Sequence, residues 1–183
     1  MIITITGYPG SGKSTLGKGI AKALGLKHYS AGDFWREIAK EKGLTPTELN
    51  RLAEKDKSID RMVDERTVQL AKKERDFVMD SRLAWHFIPN SLKIFVKVDL
   101  KKAAARVFKD MRQDEKEHSS LQKTFENLVK RKSLEVERWK TVYDLDYLDE
   151  KNYDIVVDTS GSGIEETREK VLKEISMLQK KSG

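Results

Sequence analysis

The chain has no cysteine among its 183 residues, which excludes disulfides, thiolate metal sites and a cysteine nucleophile. Histidine is nearly as scarce. His28, His86 and His118 are scattered without metal-ligand spacing, and each reads as structural or solvated. Long apolar runs are also missing, so no membrane span is expected. The first residues enter a strand pattern rather than a signal peptide, and the expected setting is the cytoplasm. There is no separate basic tail, although the formal charge is +6 and the pI about 9.3. Lysine and arginine are interleaved with aspartate and glutamate, so most read as solvated surface, and the basic balance suits a protein that gathers polyphosphates.

What is present begins at the first strand. The β-branched run Ile2-Ile3-Thr4-Ile5-Thr6 leads into Gly7-Tyr8-Pro9-Gly10-Ser11-Gly12-Lys13-Ser14-Thr15, and a helical pattern follows through Leu16, Ile20 and Leu24. Strand, glycine-rich loop and helix in that order form the context of a phosphate-binding P-loop. Gly7, Gly10 and Gly12 are expected to take φ > 0 and turn backbone N–H groups inward around an anion. The helix start adds unpaired N–H groups and partial positive charge. Lys13 can reach the β- and γ-phosphates of a nucleoside triphosphate, and the Ser14 hydroxyl can ligate Mg²⁺.

Strand and helix signals alternate from there on. Lys27-His28-Tyr29 reads as a second strand, and Asp33 as the N-cap of a helix that Gly43 ends. Thr45-Pro46-Thr47-Glu48 has the form of a capping box with proline at the first helical position. A further helix starts at Ser58. Residues 33–74 thus form a helical insertion before a third strand, Phe77-Val78-Met79-Asp80. A fourth strand is read over 92–98, followed by a helix capped by Asp99. The polar segment 113–123 is a candidate loop or lid, with the lid placed at about 112–125. A long helix through Phe125, Leu128, Val129, Val136 and Trp139 comes next, then a fifth strand over 154–158. Ser162-Gly163-Ile164-Glu165 reads as the capping box of a last amphipathic helix. The expectation is a single α/β domain, 1–183, with a doubly wound five-stranded parallel sheet of the P-loop NTPase type. Ligands of such sheets sit at the carboxyl ends of the strands, so residues 7–15, 30–36 and 80–82 are expected to converge on one cleft.

Asp80 closes an apolar strand, where a carboxylate can hold Mg²⁺ directly or through water; a turn or helix-cap aspartate is the alternative. Arg82 can clamp a phosphate or lie on the surface. Arg131, Glu135 and Arg138 share one helix face, as an ion-pair ladder or, for the arginines with Arg106 and Arg112, as cations that swing over a triphosphate when a lid closes. Trp35, Trp85 and Trp139 read as packing residues.

Four segments together resemble the nucleoside-monophosphate kinase family, and within it the archaeal-type cytidylate kinases. They are the P-loop, Ser30-Ala31-Gly32-Asp33-Phe34-Trp35-Arg36, Asp80-Ser81-Arg82-Leu83-Ala84, and residues 131–143 leading to Tyr153-Asp154-Ile155-Val156-Val157-Asp158-Thr159-Ser160. The resemblance spans nearly the whole chain. It implies ATP on residues 7–15, and CMP or dCMP on Ser30, Gly32, Arg36 and Arg82. It also implies that Lys13, Arg112, Arg131 and Arg138 stabilise the transferred phosphoryl group. The related bacterial enzymes continue Asp-Gly-Arg-Asp, the last aspartate serving base recognition, and the archaeal type usually has glycine where Ser81 stands. Base reading is therefore assigned to Asp60, Asp64 or Arg66 on the insertion, with plain surface charge as the alternative.

Other readings share the P-loop. An adenylate kinase or a shikimate- or gluconate-type kinase would keep the lid, but the last two need fewer acceptor-phosphate arginines than Arg36 and Arg82 supply. A P-loop protein that binds RNA or a partner with little kinase activity belongs to another class, and salt-sensitive RNA binding would reveal it. The expected partners are small molecules, with no membrane or nucleic acid, and a monomer is expected.

Overall fold

In the computed structural model, which describes residues 1–109 and 120–182, five parallel strands are ordered β2-β3-β1-β4-β5 with helices flanking them. This is the α/β fold expected. The chain packs as two units, Met1–Thr6 with Gly17–Ile94, and Gly7–Leu16 with Phe95–Gly183.

In the first unit β1 (Ile2–Gly7) and β2 (Lys27–Ser30) both pair in parallel with β3 (Phe77–Asp80). Phe77, Val78 and Met79 are all fully buried. An unbroken apolar run is what a parallel strand covered on both faces requires. The register sets Ile5 and Ser30 on either side of Asp80, so the ends of three strands share one edge of the sheet. α1 (Lys13–Leu24) follows the P-loop, burying Leu16 and Ile20 one turn apart.

The insertion consists of α2 (Ala31–Glu41), α3 (Pro46–Lys55) and α4 (Ser58–Lys73). Its own small core joins Ile38, Ala39, Leu49, Ala53, Ile59 and Val63. The Thr45 capping box forms as read, with Thr45 Oγ1 accepting from Glu48 N and Glu48 Oε2 accepting from Thr45 N. The Asp33 cap does not. Ser30 is the N-cap, its Oγ accepting from Asp33 N at 3.1 Å, so α2 starts three residues earlier than expected. The serine ends β2 in extended backbone and can cap at once. A short α5 (Ala84–Phe87) follows β3.

The second unit holds β4 (Leu92–Lys97) from Phe95 onward, then α6 (Leu100–Lys109), α7 (Leu121–Tyr143), β5 (Ile155–Asp158) and α8 (Ile164–Ser182). Asp99 caps α6 through Lys102 N at 3.0 Å. Val98, Ala103, Ala104 and Leu128 form a core on which Tyr8, Val107 and Phe125 pack. Ser120 caps α7, so residues 121–125 of the lid segment are helical, while residues 112–119, with Arg112 and His118, lie outside the described residues. α8 begins at Ile164, and the Ser162 hydroxyl meets Glu166 rather than forming the box with Glu165. Among the described residues no helix is long and apolar enough to cross a membrane.

Candidate active site

The P-loop departs from the expectation at its first glycine. Gly10 and Gly12 have φ of 73° and 80°, but Gly7 is not in the left-handed region. Gly7 is needed for space, because a Cβ there would sit 2.2 Å from the carbonyl oxygen of Val96. That carbonyl accepts from Tyr8 N at 3.0 Å, so the loop begins by lying directly on β4. The left-handed turns at Gly10 and Gly12 change the direction in which successive N–H groups point, the geometry of an anion nest. Lys13 and Ser14, both half-buried, open α1. Ser11 Oγ is buried and has no hydrogen-bond partner among the described residues. A buried hydroxyl left so costs about 1–3 kcal/mol, and a phosphate oxygen is a partner that would relieve it. The loop therefore fits a polyphosphate.

At the shared strand edge of the first unit, Ser30, Asp33 and Arg36 form one network. Ser30 Oγ donates to Asp33 Oδ2 at 2.7 Å, and Arg36 Nη2 donates to Asp33 Oδ1 at 2.5 Å. The Ser30 hydroxyl first, and the Arg36 guanidinium with it, hold the Asp33 carboxyl below its ordinary range. Arg36 folds back over Gly32, where a Cβ would meet its Nη1 at 3.5 Å. Its side chain is still 62% exposed, so an anion can reach it. Next to Ser30 in the register, Asp80 is buried at 4% exposure. The turn after it is tied to the end of β1, with Thr6 Oγ1 donating to Ser81 O at 2.9 Å and Ser81 N to Ile5 O at 3.1 Å. Ser81 earns its place locally, because its hydroxyl accepts from Leu83 N at 3.3 Å. Arg82 is half-buried, and its carbonyl accepts from Trp85 Nε1 at 3.0 Å, which gives Trp85 the packing role expected. Trp35 and Phe34 pack on the insertion core.

On α4, Asp60 is buried at 3% exposure and Asp64 half-buried one turn on. Arg66 turns to α2, pairing with Glu37 at 3.1 Å and Glu41 at 2.5 Å. The Glu41 hydrogen bond raises the Arg66 pKa further and lowers that of Glu41. Arg66 thus ties α4 to α2.

On α7, Arg131 Nε donates to Glu135 Oε1 at 3.1 Å, and Tyr147 donates to Glu135 Oε2 at 3.2 Å. This is the ion pair read from the helix spacing. Arg131 remains 63% exposed, and Arg138 is half-buried one turn beyond Glu135. Lys132, which the sequence did not single out, places its ammonium 3.8 Å from the centroid of the Tyr8 ring. Phe125, Leu128 and Lys132, at i, i+3 and i+7, could have revealed this face of α7. Arg106, expected among the cations that swing over a triphosphate, donates instead to Thr159, whose hydroxyl lies 3.1 Å from Ser11 O of the P-loop.

The description Cytidylate kinase-like family is matched by residues 2–161. The chain is 38% identical over 159 residues to a cytidylate kinase of Methanothrix thermoacetophila, covering 87% of this chain and 88% of that one. It is 36% identical over 185 residues to a cytidylate kinase of Methanocaldococcus jannaschii, covering 98% and 100%. Among solved structures, shikimate kinase from Acinetobacter baumannii superimposes with a TM-score of 0.61 at 16% identity, over 96% of this chain and 93% of that one. At that identity the likeness is one of fold.

Proposed function

Because this chain belongs to the cytidylate kinase-like family, we propose that it moves the γ-phosphoryl group of ATP onto CMP or dCMP, giving CDP or dCDP. The observation that carries this reading is that relatives matching nearly end to end are named cytidylate kinases. It is an ATP-dependent nucleoside monophosphate kinase, and the shikimate-kinase likeness gives no reason to prefer a non-nucleotide acceptor.

In the proposed reaction an acceptor phosphate oxygen attacks the γ-phosphorus, the bond to the β–γ bridging oxygen breaks, and ADP leaves with that electron pair. The acceptor is already an anion and needs no general base, so positioning and charge stabilisation do the work. Residues 7–15 bind the ATP phosphates through backbone N–H groups and Lys13. Arg36 and Arg82 hold the acceptor phosphate, Arg36 exchanging Asp33 for it, with Ser30 and Gly32 beside them. Asp60 and Asp64 offer carboxylates to the cytosine amino group, a donor that carboxylates accept from. Arg112, in a lid at about 112–125, and Arg131 and Arg138, farther along α7, act from the lid side, and the lid excludes water as it closes. The Ser14 hydroxyl and the Asp80 carboxylate are hard oxygen donors of the kind Mg²⁺ takes. When bound, Mg²⁺ would neutralise charge on the β- and γ-phosphates. The proposed setting is the cytoplasm, where nucleotides are made and used, with the protein acting as a monomer on small molecules.

A coupled ATP-consumption assay with Mg²⁺ and CMP, dCMP, UMP, AMP and GMP in parallel tests this. Turnover led by CMP and dCMP is the expected result. Preference for AMP would overturn the acceptor, and no turnover with any of them would overturn the kinase reading.

A further inference from the structure

Thr159 follows the last residue of β5 and is 3% exposed. Its N–H donates to Lys97 O at 3.0 Å. Its hydroxyl has Ser11 O as the nearer acceptor, at 3.1 Å, and Lys97 O at 3.3 Å. Arg106, on α6, donates from Nη1 to Thr159 Oγ1 at 3.2 Å and from Nη2 to Thr159 O at 2.5 Å; Ser162 O lies 3.5 Å from the same Nη2. With a guanidinium N–H on one lone pair, the threonine oxygen has its single hydrogen left to give, and the charge on Arg106 strengthens it as a donor.

The accepting carbonyl belongs to the peptide that joins Ser11 to Gly12. In a planar trans peptide the C=O and N–H point in opposite directions. Holding Ser11 O towards β5 therefore turns the Gly12 N–H away from β5. Gly12 has φ of 80°, and glycine reorients such a peptide at little steric cost, so the plane needs a hold from outside the loop. We propose that Thr159 is a positioning residue of the phosphate loop, its hydroxyl, aimed by Arg106, setting the Ser11–Gly12 peptide so that the Gly12 N–H faces the phosphates of ATP. The inference rests on the kinase reading above. It gives the start of the β5–α8 connection a part in nucleotide binding.

Thr159→Val keeps the shape and deletes the hydroxyl, whereas Thr159→Ser keeps the hydroxyl. Titration calorimetry of ATP and, separately, CMP on the wild type and both variants, alongside kcat and the two KM values, reads the effect. The expected result for Thr159→Val is ATP binding weaker by about fivefold to tenfold. The ATP KM rises in step, CMP binding stays at the wild-type value, and Thr159→Ser restores ATP binding. A purely structural role would weaken both nucleotides together. If Thr159→Val does not fold, Thr159→Ala deletes the same hydroxyl and takes its place. ATP affinity unchanged in the folded hydroxyl-less variant, or lost equally for CMP, would overturn the proposal. Wild-type protein that binds neither nucleotide would instead overturn the kinase reading, and this inference with it.

Discussion

Replacing Gly7 by alanine separates two reasons a P-loop glycine can be required. The added Cβ would lie 2.2 Å from Val96 O and 3.0 Å from Val96 C. Both atoms are backbone of a buried strand, so neither can swing aside as a side-chain tip would. Overpacking of this kind costs about 1–3 kcal/mol. Pushing the loop off β4 also weakens the bond from Tyr8 N to Val96 O, worth about 1 kcal/mol. The sum, about 2–4 kcal/mol, corresponds to roughly 5–15 °C in Tm for a chain of this size. Gly25→Ala is a control for backbone conformation alone, since Gly25 has φ of 65° and nothing within 4 Å of a Cβ; it should cost about 1–2 kcal/mol. Gly161→Ala meets neither obstacle and should be neutral or stabilising by about 0.5 kcal/mol. Thermal and urea melts of the three variants, with the ATP KM of each, are the assay. A Gly7→Ala protein that melts with Gly161→Ala and keeps the wild-type ATP KM would refute the close-approach account.

Lys13→Ala should retain the fold and lower kcat by about 100-fold or more; a folded variant with normal turnover would sink the P-loop mechanism. Asp33 is held below its ordinary 3.8, first by the Ser30 hydroxyl and then by Arg36, so its contribution to stability is whole above that value and is lost as pH falls through the lower folded-state pKa. The Tm advantage of wild type over Asp33→Asn should therefore shrink on acidification below about pH 4, and an advantage that stays constant down to about pH 2 would contradict it. Arg66→Met should cost about 1 kcal/mol or less in urea unfolding, as part-exposed ion pairs do, with the preference for CMP over UMP unchanged. Altered base preference at unchanged stability would instead put Arg66 on the acceptor.

Features that depend on neighbours within a few residues were readable along the chain. The run Phe77-Val78-Met79 read as a strand, and it is one, fully buried, and Thr45 with Glu48 closed a capping box because both partners lie three residues apart. Arg131 with Glu135 paired for the same reason of helical spacing. The P-loop was legible because its glycines, lysine and serine are contiguous. Tertiary structure alone decided which strands lie side by side, and so which groups meet across them. The need for Gly7 comes from Val96, the hold on Ser11 comes from Thr159, and Arg66 finds Glu37 and Glu41 only once α4 has packed beside α2. Even the α2 cap turned on it, since Ser30 reaches the cap position where β2 ends, opposite Asp80. Local hydrogen bonds are dictated by spacing along the chain, whereas these long-range contacts follow from burying one particular sheet.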